Sequence, residues 1–528
     1  MRAAILVALA IFAVPTSAVA QEVVNSESID AISVTLYRDP GRQGGGIAAG
    51  WPGGYALITE TRTIRLPAGR TIIRFQGVSQ GMLPESAIIG GLPRQASEKN
   101  RDALLLSPAG LLDAHLKRRV ALRRTNRVTG AVVVQDAVIE AGPGGGVVLT
   151  TPEGVEALGC SGLPESLRYA SVPDGLFAEP TLSVVADIPS ATTATVQLTY
   201  LAEGLDWSAS YVARVADDGR TLDLFAWMTV VNGGSQGFER ARTQAIAGAP
   251  NKEAAAAQPQ APDPVLHLQC WPMDVTSTHP RRGLPAPPPP PPAPESYGVT
   301  EDIVVMAQRR SESMMDTPLA VSVIMAQQEE LGDLKLYRIP EAVTVAAQSR
   351  KQVAMIDRKK VGFERVYTGR FESFERDDHD DENQPGAASA ELVLRTENRK
   401  TNGLGLPLPA GSVSVFETAN GQSLLVGESN LQDRAVGDEV EFGVGDSPNL
   451  RYQVNARPRA GRRAPFRVRV TNARATPEVF ELVIPYDVAR ASETLGKRKG
   501  QNVWRTTVPA NGEAKLEFAL RLEQDDGS

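Results

Sequence analysis

Residues 196–230 read VQLTYLAEGLDWSASYVARVADDGRTLDLFAWMTV. Val196, Leu198 and Tyr200 occupy every second position, and Tyr211, Ala213 and Val215 do so again. Leu222, Leu224, Ala226, Met228 and Val230 carry the rhythm onward. A period of two puts alternate side chains on one face of a strand. Asp217-Asp218-Gly219-Arg220 supplies turn chemistry between the last two runs, so the spacing predicts a hairpin. Trp207 and Tyr211, four apart beside the Gly204 bend, share a face and are large enough to fill a sandwich core.

The rhythm extends in both directions. Ile32, Val34 and Leu36 share one strand face. After a Gly-rich loop over 44–54, residues 56–66, the turn Pro67-Ala68-Gly69 and residues 71–75 read as a second hairpin. Towards the other end, Phe466, Val468 and Val470 alternate, followed by Phe480, Leu482 and Ile484, then Trp504, Leu516, Phe518, Leu520 and Leu522. That block reads as an independent sandwich. Segments 66–75 and 508–518 share a strand–turn–strand logic, which points to two or more sandwich-type domains. One helix start stands out: Ser107 can cap, Pro108 suits the first turn, and Leu111, Leu112, His115 and Leu116 form a stripe expected to fade near Arg123. Residues 127–158 return to short strands, as a small inserted β unit.

From about 249 to 332 the pattern breaks. Alanines 254–257, six prolines over 287–292 and many polar residues cannot pack a core, and the proline run favours extended polyproline II. The expected fold class is mainly β, with a short helix, a small inserted β unit and a long disordered Pro-rich insertion. The expected divisions are an N-terminal β domain 21–95, the helix plus small β unit 96–160, a central sandwich in two parts 161–250 and 333–455 around the insertion 251–332, and a C-terminal sandwich 456–528.

Composition narrows the function. The chain of 528 residues has 55 Lys+Arg against 62 Asp+Glu, a formal charge of −7. The arginines are scattered, which speaks against a nucleic-acid partner. Residues 1–20 have the form of a signal peptide: Arg2, an apolar run over 3–14, and Ala18-Val19-Ala20 as cleavage site. No later stretch reaches about 18 apolar residues, so no transmembrane segment is expected after cleavage. The expected location is exported, in the periplasm or at the outer-membrane periphery. In an oxidising compartment the two cysteines, Cys160 and Cys270, are expected to pair, the alternative being two unpaired thiols. Closing so long a loop stabilises by about 4–5 kcal/mol in the chain-entropy model.

Reactive centres are hard to assemble from this sequence. The four histidines are His115, His267, His279 and His379, and no metalloprotease, nucleophile-elbow or P-loop motif occurs. His115 reads as a satisfied, semi-buried residue, and His267 and His279 are at best weak metal ligands. The acidic run Asp377, Asp378, His379, Asp380, Asp381, Glu382 lacks the spacing of a calcium loop and reads as a solvated hairpin tip. No catalytic, metal or cofactor-binding residue is assigned and no cofactor is expected.

Residues 200–211, YLAEGLDWSASY, resemble a signature segment of the secreted β-rich family that includes mucoidy inhibitor A. Asn232 with Phe238, Ala241, Ala247 and Gly248 is similar to its continuation, as are Glu397-Asn398 and the segment from Asn402 through Gly403, Leu404 and Pro409 to Gly411. Pro84-Glu85-Ser86-Ala87 fits as well. The resemblance implies an envelope β protein with no reaction attached. Members of that family often carry long paired helices after the first domain, where this chain offers only the short segment near 107–123. A second resemblance covers Glu301, Asp302, Ile303, Val304, Val305 and the residues to Arg310, then 316–324. It is similar to the N-terminal segment of TonB-dependent receptors, which implies contact with TonB by strand addition, and a β-prone Ile-Val-Val run suits that mode. The sequence thus leads to an exported, non-enzymatic envelope β protein with a structural or protein-interaction role. The alternatives are a TonB-coupled accessory protein and a cryptic hydrolase using the acidic run.

Overall fold

The computed structural model describes residues 22–248, 250, 325–371, 386–458 and 463–521, apart from 43, 49, 103–105, 143–145, 160–162 and 174. The chain is mainly β, arranged in several multi-stranded sheets. It forms two compact units. The larger takes in the described residues up to Asp102, from Glu179 to Pro250 and from Met325 on, and the smaller takes in those of 104–178.

In the larger unit the strands Leu205–Val215 and Thr221–Asn232 pair antiparallel from Leu205↔Asn232 to Val215↔Leu222, as their alternation predicts. Asp218 closes the turn: its Oδ1 accepts the Arg220 and Thr221 amides at 2.8 and 2.9 Å. Leu222, Leu224, Ala226, Met228 and Val230 are all buried. This pair lies in a five-stranded sheet, ordered Ser349–Gly362, Thr221–Asn232, Leu205–Val215, Gly411–Ala419, Gln422–Leu431. An eight-stranded sheet runs Gln327–Leu331, Leu334–Arg338, Phe238–Ala247, Ala31–Tyr37, Tyr55–Leu66, Thr192–Glu203, Ile88–Gly90, with Val343–Val345 also on Phe238–Ala247. A four-stranded sheet runs Glu22–Ser26, Gly69–Gln76, Thr181–Ile188, Glu98–Asp102. These three sheets share one apolar core.

The expected hairpin over 56–75 is not one. Tyr55–Leu66 pairs with Ala31–Tyr37 on one edge and Thr192–Glu203 on the other. With both edges taken, the next strand cannot add beside it. The chain turns at Gly69 (φ +110°), a conformation that side chains avoid, and Gly69–Gln76 joins the four-stranded sheet instead. The connection is an arch between sheets. The similar segment at 508–518 also links two strands that do not pair: Gln501–Val508 bonds to Glu478–Ile484, and Glu513–Arg521 to Arg463–Asn472.

The fourth sheet of this unit has nine strands and a second core. It does not begin at the expected boundary of 456. Glu439–Ala456, Ala388–Glu397 and Glu364–Arg370 lie in its middle, and Glu478–Ile484 runs parallel to Glu364–Arg370. The alternation over 466–522 fixes strand faces, but these strands have no complete set of partners within 456–528.

The smaller unit holds a helix, Pro108–Ala114, and a five-stranded sheet ordered Gly154–Ala157, Val148–Thr151, Val132–Ala141, Arg119–Thr125, Glu165–Arg168. Ser107 caps as expected, its Oγ accepting the Gly110 amide at 2.9 Å. The helix stops well before Arg123. Lys117 takes a positive φ of 60° and turns the chain, after which Val120 and Leu122 enter the core as alternate residues of a strand. The unit also differs from the expected 96–160: Glu98–Asp102 pairs with Thr181–Ile188 in the larger unit, and Glu165–Arg168 pairs with Arg119–Thr125 in the smaller.

Candidate functional site

Residues 200–211 lie at a crossing of strands and loops in the larger unit. Trp207 and Tyr211 are buried on one face of Leu205–Val215, and each spends its polar tip on a backbone carbonyl. The Trp207 indole donates to Ile246 O at 3.0 Å, and the Tyr211 hydroxyl donates to Pro409 O at 2.7 Å. Tyr337 packs its ring 6.0 Å from that of Trp207 and donates to Pro407 O at 3.2 Å. Three aromatic side chains therefore pin the 402–411 segment and the strand Phe238–Ala247 against the strand Leu205–Val215.

Buried asparagines organise the loops that follow. Asn398 donates to Leu406 O and Ala435 O at 2.7 and 2.8 Å, and its Oδ1 accepts the Gly405 and Leu406 amides. Asn232 bonds in the same style to Gln236 O, Ala346 O and the Gly234 amide. Asn472 does so to Thr476 O, Pro509 O and the Arg474 amide. Each ends or follows a strand and substitutes for the backbone partners that its loop lacks. Asn398→Ala should lower stability by about 1–3 kcal/mol, read as a shift in urea midpoint. An unchanged midpoint would show that the loop holds itself.

Beside this crossing lies a cavity of about 360 Å³ lined by Arg38, Asp39, Arg42, Tyr55, Gln432 and Asp433, together with Pro40, Gly248 and Pro250. Arg42 forks onto buried Asp206 at 2.6 and 3.0 Å and also donates to Trp207 O at 2.7 Å. Asp206 accepts the Trp207 amide as well, at 2.7 Å. Arg38 forks onto Asp433 at 2.9 and 2.6 Å, and Asp433 accepts the Ala410 amide at 2.8 Å. Burial raises the Asp206 carboxyl above its ordinary range despite Arg42. Burial acts the same way on Asp433, but the Arg38 guanidinium and the Ala410 amide outweigh it and hold that carboxyl below its ordinary range. The Gly-rich loop is explained here: a Cβ on Gly54 would stand 2.6 Å from Asp206 Oδ1 and 2.7 Å from Leu205 O. Both arginines that line the cavity are thus held in closed, bidentate ion pairs, which tie the 38–42 loop to the strand Leu205–Val215 and to the 408–434 region.

Two further charge clusters are built the same way. Glu60 and Arg62 are wholly buried and joined at 2.6 Å. Arg62 also donates to Ser26 O and Gln76 O, and Glu60 accepts the Tyr200 hydroxyl at 2.6 Å. In the nine-stranded sheet, buried Glu481 takes both oxygens to Arg395 at 2.8 Å and also bonds Arg505.

Sequence reasoning missed these charges. The signal was present: residues 56, 58, 60, 62, 64 and 66 form one face, on which Ala56, Ile58, Ile64 and Leu66 are core residues, so Glu60 and Arg62 fall in core register. Of the residues singled out from sequence, His115 is buried, with Nδ1 2.7 Å from Leu111 O and its ring 4.6 Å from that of Tyr169. Cys160 and Cys270, residues 301–305, His267, His279 and the acidic run 377–382 lie outside the described residues. No His/Cys/Asp/Glu cluster suited to a metal occurs among the described residues.

The smaller unit presents a different kind of surface. Its strands Arg119–Thr125 and Val132–Ala141 form a hairpin whose tip is fixed by Asn126, which accepts the Val128 and Thr129 amides at 2.9 and 3.0 Å. Val128 is 94% exposed, Val133 60%, Val134 54% and Val132 44%. Val132–Ala141 meets Val148–Thr151 through Val138, Ile139 and Ala141, so among the described residues the distal half has a neighbouring strand on one edge alone. Sequence reading placed short strands here without foreseeing the exposure, because a run of valines looks like a buried strand.

Neither a scan against protein-family models nor a search of curated proteins finds a match to this chain.

Proposed function

We propose that this chain is an exported, non-enzymatic β protein of the cell envelope that works by presenting a surface to another envelope component. The observation that carries this reading is the contrast between its charges and its valines. Arg38, Arg42, Glu60, Arg62, Arg395 and Glu481 are engaged in ion pairs that join strands and loops, which is architectural use of charge. Four exposed valines, Val128, Val132, Val133 and Val134, by contrast lie together on the distal hairpin of the smaller unit, and a local concentration of that kind marks an interaction site. The signal-like start of the chain and the likeness of residues 200–211 to the mucoidy inhibitor A family support an envelope location. Among the described residues no helix is long and apolar enough to cross a membrane.

A photo-crosslinking residue at Val128 of the full chain, activated in the native envelope, should give adducts that the same residue at exposed Asp217 does not. Identical profiles at the two positions, or recovery of the chain from the cytoplasm, would overturn the reading.

A further inference from the structure

We propose that the hairpin Arg119–Ala141 docks on the surface of an anionic lipid bilayer. The inference rests on the presented-surface reading and names the partner's chemistry. Val128 and the distal valines would enter the headgroup boundary, and the arginines around them would meet lipid phosphates.

Three observations point to a bilayer. The first is position: the exposed apolar residues lie in the turn of the hairpin and on the strand leaving it, with Val128 almost fully exposed, so several apolar groups reach solvent together at one end. The second is charge. Between Asp113 and Asp136 the sequence holds Lys117, Arg118, Arg119, Arg123, Arg124 and Arg127 and no acidic residue, in a chain whose formal charge is −7. Lys117 pairs with Glu140, Arg119 with Asp136 at 3.3 Å, and Arg124 with Glu156 and Glu165 at 2.6 and 2.7 Å. Arg118, Arg123 and Arg127 are exposed and form no ion pair among the described residues. The third is their arrangement. Arg123 lies directly across from Val134, and Thr125 from Val132, while Arg127 adjoins Val128 in the turn. Apolar and cationic groups therefore share one end of the hairpin, the pattern that enters the headgroup boundary while its guanidinium groups stay at the phosphates.

The test uses the chain from Gln21 onward and sedimentation with vesicles of phosphatidylcholine, with and without about 30% phosphatidylglycerol. Binding should require phosphatidylglycerol and weaken with salt. The double variant Arg123→Glu/Arg127→Glu should bind at least about tenfold more weakly. Val128→Glu should lose binding as well, while Val155→Glu, at another exposed valine of the same unit, should bind as the parent does. Val128→Trp should show a blue-shifted emission on the anionic vesicles. Equal binding to both vesicle types, or hairpin variants that bind like the parent, would overturn the proposal. Loss in the arginine variant with no effect of Val128→Glu and no emission shift would overturn insertion of the tip. If vesicles are not bound but Val128 still crosslinks a protein, the bilayer is the wrong partner and the presented surface stands. If the crosslinker also matches its control, both fail.

Discussion

Arg62→Met is expected to cost the larger unit about 3–5 kcal/mol at neutral pH, because it strands a buried carboxylate. Arg62 is wholly enclosed and serves three groups at once, the Glu60 carboxylate and the carbonyls of Ser26 and Gln76. Those carbonyls belong to the strands Glu22–Ser26 and Gly69–Gln76 of the four-stranded sheet, whereas Arg62 itself lies in the eight-stranded sheet. One guanidinium therefore ties two sheets together, at the end of Gly69–Gln76 away from the arch. Tyr200 completes the cluster, donating to Glu60 Oε1 and accepting the Ser79 amide at 3.0 Å.

The loss should depend on pH in a definite direction. Burial pushes the Glu60 carboxyl above its ordinary range, against the pull of Arg62 and Tyr200. A carboxyl whose folded value lies above its unfolded one binds the proton more tightly when folded. Its contribution to stability therefore declines as pH rises through the interval between the two values. Without Arg62 that interval widens upward, so the deficit of Arg62→Met should be smallest in acid, where Glu60 is protonated in both states, and should grow towards neutrality. Tryptophan fluorescence during urea unfolding reports mainly on this unit, since it holds four of the five tryptophans, Trp51, Trp207, Trp227 and Trp504. A deficit below 1 kcal/mol, or one independent of pH, would show that water or a rearranged neighbour replaces the guanidinium.

The sequence made strand faces legible and left strand partners illegible, and residues 55–76 show why. Alternation identifies Tyr55–Leu66 and Gly69–Gln76 as strands, and the Pro67-Ala68-Gly69 turn between them is real. Whether two consecutive strands pair depends on whether an edge is free, and Ala31–Tyr37 and Thr192–Glu203 had already taken both. For the second edge that information lies more than a hundred residues away in the chain. The same limit hid the extent of the nine-stranded sheet, whose middle is supplied from 364–397. Glu60 and Arg62 were legible in principle, because an apolar face interrupted by two opposite charges at adjacent core positions implies a buried pair. The cavity residues Arg38, Arg42 and Asp433 were not, since each lies outside a strand and is joined to its partner by tertiary contact alone. Exposure of Val132, Val133 and Val134 reversed the usual expectation, because a strand rich in valine is ordinarily buried on at least one face.

Trp207→Ala should destabilise the larger unit by about 3–5 kcal/mol, the range for truncating a fully buried aromatic residue. The indole is wholly buried among residues of the shared core, so its removal leaves a hole that the surrounding strands cannot close without breaking their ladders. Trp207→Phe separates the two contributions. It keeps much of the volume but leaves Ile246 O without the indole donor, and should cost about 1–3 kcal/mol. Tyr211→Phe removes only the bond to Pro409 O and should cost about 1 kcal/mol. The order Ala at 207, Phe at 207, Phe at 211 follows if Trp207 and Tyr211 are structural pins. A ranking in which Tyr211→Phe is stable but abolishes crosslinking from Val128 would instead give the strand Leu205–Val215 a direct part in partner binding. The smaller unit has its own core of Leu112, Val120, Leu122, Ala137, Ile139, Val147, Leu149 and Leu158. Tip crosslinking should therefore survive in every variant of this series that still folds, and that independence is what a purely structural role for Trp207 and Tyr211 requires.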